Sequence, residues 1–267
     1  MRLILAAALF AALAPKPFAQ EPAAERWDAR LASVSGEVVV HPADGGDEAG
    51  GEADMPLDEG DRITTGAGAY ADVSLDGGSL IHLGENSDFT LEKTEKNESA
   101  FSLALGSLIA KIQKLGSQRL LVHTPTAVCA VRGTEFGVDA SADAQTHVGV
   151  FDEGRVEVTN AAGAQTLEPN QETSVAKDRA PLKPFALKRF AARRAFMQGH
   201  RRRLAALQKR WKSLPPEQRR ARRQQILQKM RRLRGEMRQK RQQMREQRRE
   251  AAEERRRRNG RRRPGLK

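Results

Sequence analysis

Charge divides this chain into two parts that cannot fold by the same rules. Residues 181–267 hold 33 Lys+Arg and 6 Asp+Glu, a net +27, whereas residues 20–180 hold 12 and 28, a net −16. The overall +13 describes neither part. Thirty-three basic side chains cannot be neutralised by the six acids among them. The basic part therefore needs an external polyanion, or the acidic part of the same or a neighbouring molecule. The expected organisation is an acidic β module followed by a basic helical tail.

The acidic part is patterned for strands. GEVVVH at 36–41 opens the series. RITT at 62–65, YADVSL at 70–75, SLIHL at 79–83 and FTLEK at 89–93 continue it, followed by FSLAL at 101–105, SLIAKI at 107–112 and QRLLVHT at 118–124. Turn signals separate them, among them Asp76-Gly77-Gly78, Gly84-Glu85-Asn86, Asp152-Glu153-Gly154 and Glu168-Pro169-Asn170. Runs of four to seven residues at this spacing predict an all-β sandwich, barrel or solenoid. Residues 42–57 lack apolar periodicity and read as a solvated loop.

One stretch carries more. Leu121 to Val138 reads LVHTPTAVCAVRGTEFGV. Pro125 marks a bend between two apolar runs, and Gly133 offers positive φ at a turn before the next strand. Thr124, Pro125, Thr126, Ala127, Val131, Arg132, Gly133, Thr134, Glu135 and Phe136 resemble the hallmark of the FecR-like domain family. These are all-β modules of the bacterial envelope, some of which relay signals to extracytoplasmic sigma factors. Gly60 to Gly66 (GDRITTG) and Ser74 to Ser79 (SLDGGS) add to the resemblance, which covers a little over half the chain. It implies a β-solenoid-like or curled β-sandwich module over 30–178, with these motif residues in structural roles. It also implies an envelope location. Anti-sigma activity is not carried over, because only an expected signal peptide precedes the β module in this sequence.

Chemistry inside the β module is sparse. Cys129 is the single cysteine and lies in an apolar run, so it reads as a buried small hydrophobe. His41, His82, His123, His147 and His200 lack metal-ligand spacing. Glu85, Asp88 and Glu92 read as acids on an exposed strand face. Arg132 and Glu135 flank the Gly133 turn, where they read as a buried pair that fixes a chain crossing or as a recognition point for a partner. No catalytic, cofactor-binding or metal site is expected, and no small-molecule substrate.

Pro181 and Pro184 mark a linker over 179–185, and the tail follows over 186–258. Phe190, Met197, Leu204 and Trp211 recur every seven residues, and Ser213 to Glu217 (SLPPE) ends that segment and starts another. Ile226, Met230, Leu233, Met237 and Met244 form a second, coiled-coil-like seam that Lys240 and Gln247 erode. Residues 259–267 read as a disordered tip. Candidate partner-binding residues are Arg231, Arg232, Arg234, Arg238 and the run Arg255, Arg256, Arg257 and Arg258.

Arg2, twelve apolar residues from Leu3 to Ala14 and a break ending at Ala19 predict a signal peptide over 1–19. That run is short of the roughly 20 residues a spanning helix needs, so an integral membrane protein is not expected. Together these features predict a non-enzymatic periplasmic or secreted binding and scaffolding module. Its expected partner is an anionic envelope polymer or an acidic protein domain, with self-association through the tail. The rivals are a periplasmic signalling component working with a separate membrane regulator and, without export, a nucleic-acid-binding protein.

Overall fold

The computed structural model describes residues 26–75, 78–113, 119–210, 215 and 217–229, with isolated positions between 232 and 244. The expected signal peptide and the tip lie outside the described residues, as do the seam residues Trp211, Met230 and Met237. The described chain is mostly β. The strands are β1 (Ala29–Ser35), β2 (Val38–His41), β3 (Ala49–Gly50), β4 (Pro56–Leu57), β5 (Arg62–Thr65), β6 (Tyr70–Leu75), β7 (Ser79–Leu83) and β8 (Asp88–Thr94). They continue as β9 (Glu98–Lys111), β10 (Arg119–His123), β11 (Val128–Val131), β12 (Glu135–Ala140), β13 (Gln145–Val150), β14 (Val156–Asn160), β15 (Gly163–Leu167), β16 (Gln171–Ala176) and β17 (Phe185–Ala186). A 3₁₀ turn (Ala191–Arg193) leads into helix α1 (Arg194–Arg210), and residues 217–229 are helical.

All seventeen strands join through β9, which is long enough to serve two sheets. Its first half pairs with β8 and, in parallel, with β10. Its second half pairs antiparallel with β7 and β12. The first sheet runs β3-β2-β5-β8-β9-β10-β11-β14-β15. The second runs β4-β1-β6-β7-β9-β12-β13-β16-β17. Gly106 sits where β9 passes from one to the other, at φ +98°, and a Cβ there would lie 2.4 Å from the Ser87 Cα. Only a glycine meets both demands.

Both sheets feed one apolar core. Val40, Ile63, Phe89, Leu91, Phe101, Val122 and Val158 enter from the first sheet; Leu31, Val73, Ile81, Leu83, Val138 and Val148 enter from the second. In the first sheet β5, β8 and β10 alternate buried and open positions, as period-two patterning requires. In the second sheet β12 is buried at all six positions, and β6 and β7 nearly so. Their outer face is covered too, by the start of the basic tail.

The expected strands from 62 to 93 lie in β5 to β8, but FSLAL and SLIAKI are a single strand through Gly106. The series opens earlier than GEVVVH, at β1. Residues 42–57 are not a solvated loop: Ala49, Met55 and Leu57 are buried, and β3 and β4 pair with β2 and β1. Three isolated apolar residues are enough to anchor it, and they leave no periodicity to read. The expected linker 179–185 likewise runs along β16. The Leu182 N–H donates to the Ser174 carbonyl, its carbonyl accepts the Thr173 hydroxyl, and β17 pairs with Gln171 and Glu172. Prolines are tolerated there because this is a sheet edge.

Gly106→Ala is expected to destabilise the protein by at least about 2 kcal/mol, from positive-φ strain plus displacement of Ser87. Urea denaturation checks this; an unchanged midpoint would show that β9 does not need the bend.

Candidate interaction surface

The TPTAVCAVRGTEF stretch joins the two sheets. The turn between β10 and β11 is closed by Thr124, whose backbone N–H donates to the Ala127 carbonyl at 2.9 Å and whose hydroxyl accepts the Ala127 N–H at 3.0 Å. Thr126 is buried, with its hydroxyl 2.7 Å from that of Thr146 in β13 and 3.2 Å from the Val175 carbonyl in β16. Thr146 lies 2.9 Å from the Thr124 hydroxyl, so three hydroxyls latch the first sheet to the second. Pro125 is exposed at the tip, whereas Ala127, Val131 and Phe136 are core residues. Gly133 has φ +57°, and Thr134 bonds across to the Arg155 backbone. This motif therefore holds the fold together.

Glu135 does not pair with Arg132. It is fully buried and takes the Lys111 ammonium at 2.7 Å, which also reaches Glu153 at 2.7 Å, while Arg132 stands exposed. Strand register decides this, because Glu135 and Lys111 lie directly opposite in β12 and β9. Burial lowers the Lys111 pKa and the two glutamates raise it, with a net rise. Cys129 has no exposed surface, and burial pushes its thiol up to about 12, so it is inert at neutral pH. Asp88 is forked by Arg62, Glu92 pairs with His123, and Glu85 accepts the Gly68 N–H. These three acids are thus separate surface pairs.

The outer face of the second sheet is a docking site for the tail. Gly137 and Gly149 lie opposite each other in β12 and β13 and form a bare trench. The Phe190 ring fills it, so closely that a Cβ on either glycine would lie 2.5–2.7 Å from a ring carbon. Phe151 meets that ring edge-on at 6.4 Å, and Ile109 and Met197 complete the apolar seat. Further along, the Phe196 ring packs tilted against His82 with centroids 4.4 Å apart, and His82 bonds to Asp72 at 2.7 Å.

Charge surrounds this seat. Asp139, buried in β12, receives Arg189 Nε at 2.8 Å and Arg193 at 2.6 Å. Burial alone would push its carboxyl up, but Arg193 and Arg189 outweigh that and hold it below the usual carboxylate range. Glu172, also buried, accepts the Arg189 N–H at 3.0 Å and lies 3.5 Å from that of Phe190. It satisfies donors left free where the helical region starts. Asp72 is held low in the same way: burial raises it, whereas His82, Ser33 and Arg203 lower it further.

The second helical segment seats on a different acidic face. Arg219, Arg223, Ile226 and Leu227 are its half-buried residues, a spacing of four, three and one that marks one helical face. Arg219 reaches Asp28, Asp58 and the Leu57 carbonyl. Arg223 forks onto buried Asp61 at 2.6 and 2.9 Å. Arg222 lies 3.7 Å from Asp54, Lys229 pairs with Glu52 at 2.7 Å, and Ile226 and Leu227 pack on the edge of the core.

Of the arginines expected to bind a partner, Arg232 is described: it is exposed and pairs with Glu236 one turn on. Arg231, Arg234, Arg238 and Arg255–Arg258 lie outside the described residues. Asp139, Glu172, Asp61, Gly137 and Gly149 carry no local sequence signal of their roles. The seven-residue spacing of Phe190 and Met197 was the one available signal, and it reports a face laid on a sheet.

Residues 61–157 match the FecR protein family. Two crystal structures of a "putative anti-sigma factor" from Parabacteroides distasonis ATCC 8503 are similar to the chain at 21% identity and TM-score 0.45. The likeness covers 52% of this chain and 65% and 64% of theirs. No curated protein matches the chain.

Phe190→Ala is expected to cost about 3–5 kcal/mol of docking free energy, read as lost amide protection in α1. Gly149→Ala should do the same in the native background and far less beside Phe190→Ala; equal cost in both would refute the trench. Because the Asp139 carboxyl is depressed, its stabilisation is present above the ordinary value of about 3.9 and lost as pH falls below it. The stability gap between wild type and Asp139→Asn should therefore stay constant from neutral pH down to about 5 and close at lower pH. A pH-independent gap in urea denaturation would show that Asp139 contributes no charge.

Proposed function

We propose, on the FecR match of residues 61–157, that this chain is a non-enzymatic, exported binding and scaffolding module of the bacterial envelope. Its β domain carries the basic tail on its own acidic surface and presents the distal arginines to an anionic envelope polymer. One observation carries this reading. The acidic β module is matched by the part of the tail that docks on it, and the excess charge lies beyond.

Residues 181–229 hold 16 Lys+Arg and 1 Asp+Glu, a net +15, close to the size of the −16 on residues 20–180. Arg189, Arg193, Arg219, Arg223 and Lys229 spend that charge on named carboxylates. Residues 230–267 hold 17 and 5, a net +12. A segment of that charge binds polyanions through screened Coulomb attraction, over about 8 Å at physiological salt. The family match supports a second reading, a periplasmic signalling component working with a separate membrane regulator. In that reading the β domain holds the partner, so removing the distal arm leaves binding intact.

The proposal is tested with a chain ending at residue 229, compared with the full chain on vesicles rich in anionic lipid and on lipopolysaccharide. The full chain should bind at low ionic strength and be released as salt rises, and the shortened chain should bind at least about tenfold more weakly. Equal binding by both, or binding indifferent to salt, would overturn the proposal. N-terminal sequencing of the mature protein should begin near residue 20; a retained leader with the protein in the cytosol would return nucleic acid as the partner.

A further inference from the structure

We propose that the β domain carries a receptor for arginine-bearing helices, a two-slot site that reads Arg-x-x-x-Arg on one helix face. Its occupant here is the chain's own segment 217–229. The same segment of a second copy presents the same groups and fills the site in trans. The polyanion reading concerns what the distal arm binds; this site concerns a cationic helix bound by the β domain.

Each slot is built from carboxylates and a main-chain carbonyl. In the first, the Arg223 guanidinium forks onto Asp61, with one nitrogen 2.6 Å from Oδ2 and the other 2.9 Å from Oδ1. Its Nε lies 2.9 Å from Asp58 Oδ2, and it donates to the Pro56 carbonyl at 2.9 Å. In the second, Arg219 donates to Asp28 and to the Leu57 carbonyl, and lies 3.3 Å from Asp58 Oδ1. Asp58 thus divides its two oxygens between the slots. Adjacent carbonyls of β4 serve them one each, and side chains four apart on a helix stand roughly 6 Å apart, which matches such neighbouring slots.

The slot walls are held by the β domain itself. Asp61 is fully buried and accepts the N–H groups of Ala43 at 3.1 Å and Asp58 at 2.8 Å, which aim its carboxylate. Asp28 is held by Arg30. Pro56 and Leu57 are fixed by pairing with Arg30 and Ala29 of β1. Carbonyls turned onto the guanidinium distinguish this from a diffuse acidic patch, since they add directional acceptors that only a forked, planar donor uses fully. The Arg223 side chain is 11% exposed and Asp61 not at all. Burial lowers the Arg223 pKa, but Asp61, Asp58 and Asp44 raise it by more, so the arginine stays charged. Ile226 and Leu227, one turn further on, add an apolar requirement to the ligand.

The test uses a labelled peptide of residues 217–229 and the full chain carrying Arg219→Ala and Arg223→Ala, whose slots lack their arginines. The peptide should bind this variant saturably and wild type at least about tenfold more weakly, because wild type is already filled. Replacing both peptide arginines with lysine keeps the charge and should cost about tenfold in affinity. A lysine peptide that binds equally well, or a variant that binds no better than wild type while keeping its β circular dichroism, overturns the proposal. If the variant loses that spectrum, excess peptide is added to wild type, where it must speed amide exchange in residues 217–229. Unchanged exchange there refutes the site.

Discussion

Buried carboxylates need cations or hydrogen-bond donors, and in this protein many of these come from the other end of the chain. Asp139, Glu172, Asp61, Asp72 and Asp28 are all buried on the β domain. An ionised carboxylate taken out of water without a partner is costly enough to shift its protonation or to unfold its surroundings. The domain resolves this with Arg189, Arg193, Arg203, Arg219 and Arg223, and with the backbone donors at the start of the helical region. The acidic and basic parts of the sequence are therefore two halves of one electrostatic solution.

The two docked segments are held by different forces. Phe190 and Met197 are inserted with almost no exposed surface, so the first segment is held chiefly by apolar burial, which salt does not screen. The second is held by Arg219, Arg223 and Lys229, with Ile226 and Leu227 half-buried beside them. Its attachment is the more sensitive to ionic strength and to competing polyanions. A graded attachment follows along the tail: an apolar anchor near the sheet, an ionic clasp beyond it, and the net positive charge of residues 230–267 after that.

Within 62 to 93, β5 and β8 are legible because they have one open face and alternate, and β6 and β7 because turn signals bound their short apolar runs. The continuity of β9 is not, since Gly106 reads as a break unless its role as a bend between two sheets is known. Residues 42–57 carry no legible period because Ala49, Met55 and Leu57 reach the core singly. The seam through Phe190 and Met197 was visible, but periodicity reports that a face is buried and never against what. Proximity in sequence points Glu135 towards Arg132, whereas cross-strand register supplies Lys111.

The β character of the module, the division of charge and the resemblance carried by Thr124 to Phe136 can all be read along the chain. Those are properties of local pattern and composition, available one segment at a time. That Gly137 and Gly149 lie opposite each other to admit Phe190, and that Asp61 and Asp139 face arginines from the tail, follows from the folded arrangement alone. These tail residues lie 41 to 162 positions from the groups they meet, and a contact over such a span depends on strand register and helix direction, which no local pattern encodes.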